Sequence, residues 1–176
     1  EASLPDIYEF VIQKIKSGYQ SFIVYPLVEE SEKLELKAAE EYFEKLKNTF
    51  FKNISLGLIH GRLKWNEKEE IMRKFADKEF DALISTTVIE VGIDIPDANI
   101  IIINDAFRFG LSQLHQLRGR VGRSTRQAYA YFIVPTLSGL TKKAMRRLQA
   151  IEEYTEIGSG FNLSMRDLEI RGAGNL

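Results

Sequence analysis

Apolar residues fall into short runs spaced along the chain: Ser21–Tyr25, Ile54–Ile59, Ala82–Ser85, Ile100–Ile103 and Tyr129–Val134. The runs are rich in β-branched residues and strand-sized, the pattern of strands buried on both faces. Between them lie segments whose apolar positions recur at the helical period. Such alternation predicts an α/β fold, a parallel sheet with helices on both faces. Pro5 sits just inside a first helix that ends near Gly18. Asn66 is expected to cap an amphipathic helix over Glu67–Ala76, and Ser112 a short helix further on. The pattern changes after Val134. Pro135–Gly139 reads as a turn, Leu140–Ile157 as a long helix, basic and then acidic. Gly158-Ser159-Gly160 breaks it, and Asn162–Ile170 is expected to form a second, shorter helix. The expected division is therefore an α/β domain over 1–135 and a helical hairpin with the start of its loop over 136–176.

At 176 residues the chain is one domain by size, with room for a real core. Its 24 basic and 25 acidic residues nearly cancel, so any nucleic-acid binding must come from local patches. The two signs are segregated: Glu29–Lys47 is mostly acidic, Arg108–Arg147 mostly basic. Cysteine is absent, which excludes disulfides, thiolate metal sites and a cysteine nucleophile. Nothing resembles a signal peptide or a membrane span, so a soluble, cytoplasmic protein is expected.

The densest chemistry is Gln116-Leu117-Arg118-Gly119-Arg120-Val121-Gly122-Arg123, inside a stretch with no acid from Arg108 to Arg126. Guanidinium groups this close repel one another unless a polyanion completes them. Each offers a planar fork of donors suited to phosphate oxygens. On a helix from Ser112, the residues Gln116, Gly119, Arg120 and Arg123 share one face. The competing account is a solvated basic helix face. Upstream, Leu83–Pro96 reads as a buried strand ending in hydroxyls, a bend at Gly92 and an acid, Asp94, just before a proline. Open parallel sheets place ligands at such strand-to-loop edges.

These two segments resemble the last two motifs of superfamily 2 helicases, the ATP-driven nucleic-acid motors. The Tyr25–Ser31 segment, Leu36–Glu40, His60-Gly61-Arg62 and Asp167–Gly172 extend the resemblance to the RecG branch-migration helicases, from about Ser21 to the end. The resemblance implies a RecA-like lobe in which Arg120 and Arg123 are arginine fingers reaching the γ-phosphate of ATP. Gln116 senses that phosphate or the attacking water. Gly92 and Asp94 approach the nucleotide, Asp94 toward the ribose or metal-bound water; a turn-capping aspartate is the alternative. Thr86 and Thr87 are implied phosphate contacts on the nucleic acid, against a buried β-branched pair. Gly61 and Arg62 are candidates for DNA-backbone binding, while His60 alone is more often structural than catalytic. Arg147 and Arg171 are implied to relay nucleotide state between the hairpin and the loop behind it; the alternative is a basic helix with solvated charges. Phe161–Asp167 and Gly172–Leu176 look closer to the transcription-repair coupling factor, whereas Glu32–Phe50 has the RecG length.

The phosphate-binding pattern G-x-x-x-x-G-K-[ST] is absent, and no Asp-Glu magnesium motif follows a strand. The expectation is a second RecA-like lobe that supplies no metal site. ATP and Mg²⁺ would be held mainly by an N-terminal lobe of the same protein, and the lobe alone would be inactive. The expected partners are branched or double-stranded DNA and that lobe, with no membrane, in a monomer. Two alternatives remain: the same lobe of a transcription-repair coupling factor, and a nucleic-acid-binding module without enzymatic role.

Overall fold

The computed structural model describes residues 4–26, 31–86, 95–119, 121, 127–134, 139–157 and 161–166. Five helices and six strands alternate along these segments: α1 (Leu4–Lys16), β1 (Gln20–Val24), α2 (Glu32–Asn48), β2 (Leu56–Ile59), α3 (Trp65–Ala76) and β3 (Ala82–Ser85) come first. Then follow β4 (Ala98–Ile103), a 3₁₀ turn (Ala106–Arg108), α4 (Leu111–Arg118), β5 (Ala128–Ile133), α5 (Lys142–Ile157) and β6 (Phe161–Arg166). All strand pairs are parallel, in the order β2-β3-β1-β4-β5-β6.

Successive strand residues feed two separate cores, as the two-residue side-chain period requires. Phe22, Val24, Leu83, Ile101 and Ile103 pack with Met72 and Phe75 of α3, Leu114 and Leu117 of α4 and Leu148 of α5. The intervening Ile23, Ala82, Ile84, Ile100 and Ile102 pack with Ile7, Tyr8, Val11 and Ile15 of α1 and Leu46 of α2. Thus α1 and α2 cover one face and α3, α4 and α5 the other, the expected RecA-like layering. Each large aliphatic side chain so buried contributes about 1.5–3 kcal/mol. At one corner the Lys14 ammonium lies 5.3–5.5 Å from the ring centroids of Phe10, Tyr19 and Tyr129, tying α1 to β5.

The sequence expectations need three corrections. Asn66 does not cap α3: Lys64 is the N-cap, and its N–H donates to Glu67 Oε2 at 2.9 Å. Ser112 does not cap α4: the helix begins after Gly110, whose N–H donates to Gln113 Oε1 at 3.0 Å. Both helices close with a side chain reaching back from the third helical position, an arrangement that does not require a polar N-cap side chain. Beyond Pro135 the first expected helix forms as α5, but 162–166 is not helical. Phe161–Arg166 is β6, paired along its length with β5 and extending the same sheet. The alternation Phe-Asn-Leu-Ser-Met-Arg is a two-residue apolar period, which favours strand over helix.

Candidate nucleotide and nucleic-acid site

The register brings the carboxyl ends of the strands into line. Val24 lies opposite Ser85 on one side and Ile103 on the other, and Ile59 lies opposite Ser85. The next residues, His60, Thr86, Tyr25 and Asn104, therefore emerge side by side along one edge. From β1 the chain crosses one face through α2 to the outermost strand, β2. From β4 it crosses the opposite face through α4 to β5. The strand order reverses between β1 and β4, the place where open α/β sheets form their ligand crevice.

That point is tied together by a polar network. The buried Asn104 donates from Nδ2 to the Val24 carbonyl (3.1 Å) and toward the Tyr42 hydroxyl (3.3 Å), while its N–H also donates to Val24 O. The Tyr42 ring stacks on Tyr25 with centroids 3.9 Å apart and planes 11° from parallel. Its hydroxyl pairs with that of Tyr8 at 3.4 Å. Burial is the main cause that pushes the Tyr42 hydroxyl well above its ordinary pKa and raises that of Tyr8, so both stay neutral.

Asp105 follows with left-handed backbone (φ 48°, ψ 48°) and turns the chain into the 3₁₀ segment that leads to α4. This connection is held from behind by α5. The half-buried Arg147 donates from Nε to the Phe109 carbonyl (3.2 Å) and from Nη2 to the Phe107 carbonyl (3.0 Å). One guanidinium fork thereby fixes the entry to α4 from an element 38–40 residues further along the chain. Leu114 and Leu117 anchor α4 in the core, and its Gln116 is exposed. The helix ends at Arg118, with the Gly119 N–H donating to the His115 carbonyl. Gly119 itself keeps right-handed helical backbone (φ −65°, ψ −8°) as the C-cap. Just beyond, Val121 is buried in the core.

At the far side of the edge, His60 is half-buried, and its Nδ1 accepts the Arg62 N–H at 3.3 Å. Desolvation is the largest cause lowering its pKa, followed by the opposing pull of Glu40 and the repulsion of Lys68. Gly61 and Arg62 are exposed, and a Cβ added to Gly61 would meet nothing within 4 Å. Thr86 is buried, its N–H bonded to the Ile59 carbonyl, which is the environment of a packed β-branched residue. Thr87, Gly92, Asp94, Arg120, Arg123 and Arg171 lie outside the described residues. Of the expected site residues the structure therefore places Gly61, Arg62, Thr86, Gln116 and Arg147. Sequence reasoning missed Asn104, Tyr42 and Tyr25, which meet only through the fold.

Among the described residues no group of three or more His, Asp or Glu is placed to hold a metal. No described helix is long and apolar enough to cross a membrane.

The parallel sheet, its two helical layers and the arginine-rich segment that α4 opens define a RecA-like helicase lobe. The chain belongs to the helicase conserved C-terminal domain family, whose model matches residues 3–125. It is 48% identical over 169 residues to the ATP-dependent DNA helicase RecG of Thermotoga maritima, a match spanning 96% of this chain and 21% of that protein. The transcription-repair-coupling factor of Staphylococcus aureus is 57% identical over 122 residues, 69% of this chain and 10% of that one. Among solved structures, RecG bound to a three-way DNA junction superposes with a TM-score of 0.70 at 41% identity, over 97% of this chain and 20% of that one. Domain 2 of the Mss116p DEAD-box helicase (TM-score 0.60, 19% identity, 96% of this chain and 62% of that one) shares the fold. The chain thus spans about a fifth of the length of the RecG relatives it matches.

Proposed function

We propose that the chain is the second motor lobe of an ATP-driven, RecG-like translocase that remodels branched DNA in recombination and repair, working in the cytoplasm as a monomer. The observation that carries this reading is the 48% identity to RecG across nearly the whole chain. The RecG assignment is preferred to a coupling factor because the RecG match extends over 96% of the chain and the coupling-factor match over 69%.

In this reading Arg120 and Arg123 reach across a cleft to the γ-phosphate of ATP held, with Mg²⁺, mainly by an N-terminal lobe. Fingers supplied across an interface accelerate phosphoryl transfer by roughly 10³–10⁵ through charge stabilisation. Gln116 is exposed on α4 and orients the phosphate or the attacking water, while Gly92 and Asp94 meet the ribose. Gly61, Arg62 and Thr87 contact DNA phosphates, positioning the strand without reading its sequence, while the buried Thr86 packs at the end of β3. Arg147 and Arg171 couple the segment beyond Pro135 to the finger-bearing connection. Support for the Arg147 role is its bidentate hold on the Phe107 and Phe109 carbonyls, directly before α4.

The test is Arg120→Ala in the intact enzyme. ATP turnover should be abolished with DNA affinity nearly unchanged. Equal loss of both would remove the finger role.

A further inference from the structure

The only tryptophan of the chain, Trp65, is 58% exposed, more than any other large hydrophobic residue described. It opens α3 immediately after the His60–Lys64 loop, three residues beyond Arg62 in the chain. Arg62 and Lys64 are exposed on that loop. The charges acting on His60 are mixed, Lys68 and Arg62 against Glu40 and Glu67. The ring also borders an open concavity of about 310 Å³ formed with Asn66, Glu69, Glu70 and Arg73. Glu69 is occupied by Arg73 at 2.6 Å, and the presence of Glu70 makes the concavity itself unfavourable for a phosphate. An uncharged group with polar edges fits this lining better: an aromatic face to stack on, and amide, carboxylate and guanidinium groups to meet donors and acceptors.

We infer that Trp65 is a stacking platform for an unpaired base of the DNA strand whose backbone runs over Gly61 and Arg62. The inference rests on the proposed DNA contact at that loop and adds its substrate class, a strand with unpaired nucleotides beside the phosphate contacts. In a blunt duplex the base faces are stacked and out of reach. At a branch point pairing is broken, and a base can turn outward onto the ring. Base–aromatic stacking is tolerant of sequence, which suits a motor that must pass over any sequence.

Because Trp65 is the sole tryptophan, its fluorescence reports the contact directly. The chain is titrated at low salt with single-stranded oligothymidylate, a fork with unpaired arms, a blunt duplex of equal length and free dTMP, with anisotropy of labelled DNA as an independent measure of binding. Quenching by the single strand and the fork, but not by the duplex or dTMP, is the expected result. Trp65→Ala should weaken single-strand binding about 5- to 150-fold and leave duplex binding unchanged, with Trp65→Phe recovering most of the loss. Anisotropy showing bound single strand with unaltered fluorescence, or with Trp65→Ala affinity unchanged, would overturn the platform and leave the backbone contact standing. Equal quenching by duplex would overturn it too, and saturable quenching by dTMP would assign the concavity to a free nucleotide instead. Absence of binding to every DNA would overturn the loop contact and the platform together.

Discussion

Tyr42 illustrates how a single hydroxyl can hold the reversal point of the sheet. Its ring stacks on Tyr25, at the end of β1, and its oxygen meets Asn104, at the end of β4, and Tyr8 of α1. Tyr42→Phe keeps the stack and removes those hydroxyl contacts. Asn104 retains the Val24 carbonyl, so the cost should be about 1 kcal/mol, a fall of about 2–4 °C in the unfolding midpoint. The raised pKa of the native Tyr42 and Tyr8 hydroxyls sets the pH dependence: their contribution is complete below the unfolded value of 10.0 and lost as pH rises through the higher native values. Thermal scans between pH 8 and 11 should show wild-type stability falling more steeply above pH 10 than that of Tyr42→Phe; parallel curves would refute the assignment. Gly61 offers a cleaner separation of folding from binding. Its backbone is outside the left-handed region and an added methyl meets open space, so Gly61→Ala should leave the midpoint unchanged or raise it. If a phosphate approaches there, DNA affinity should fall even so, and an unaltered affinity would move the strand elsewhere.

At the scale of elements, Arg147 makes α5 a brace for the connection into α4. Removing a charged donor from two carbonyls typically costs about 1.5–3 kcal/mol, here nearer the low end because the side chain is only half-buried. Arg147→Lys retains a point charge but loses the planar fork, and should keep at most one of the two bonds. Hydrogen exchange in residues 106–119 should accelerate in the order wild type, lysine, alanine, while exchange in β1–β3 stays constant; uniform acceleration would mean general destabilisation. The elements themselves were largely legible. Ala82–Ser85 is a strand in both readings because an unbroken apolar run between turn signals leaves few alternatives. The α2 helix begins at Glu32, inside the Glu32–Phe50 segment of RecG-like length, with Ser31 accepting the Leu34 N–H. The caps of α3 and α4 were not legible, since Glu67 and Gln113 act by reaching backwards to the N-cap N–H. For β6 the alternating period was present but a preceding helix and glycine break suggested a hairpin. The polar contacts at the described end of the sheet were not legible, because they join residues far apart in the chain. Arg147 finds carbonyls 38 and 40 residues away, and Tyr42 finds Asn104 across 62, distances that only the crossovers of the sheet bring together.

For the whole molecule, the near-zero net charge decides what isolation should do. A chain with 24 basic and 25 acidic residues has no global field to draw in DNA, so attraction depends on a few local cations. Each neutralised phosphate contributes a salt slope of about −0.9 in log affinity for duplex DNA, or about −0.7 for a single strand. Binding by the chain alone should therefore be weak and steeply salt-dependent, and tight sequence-selective binding at physiological salt would contradict backbone contact. Hydrolysis carries the larger consequence. Under the proposed function the chain lacks the phosphate-binding loop and should turn over no ATP by itself, with or without forked DNA. Adding a separately expressed N-terminal lobe should restore turnover on a fork if, as proposed, Arg120 and Arg123 act across a cleft between the two lobes. Arg120→Ala in the added mixture should then abolish the restored rate while the lobes still associate, which distinguishes a missing finger from a missing interface. Turnover by the chain alone would instead require a nucleotide site within these residues, and the division of labour between two lobes would fall with it.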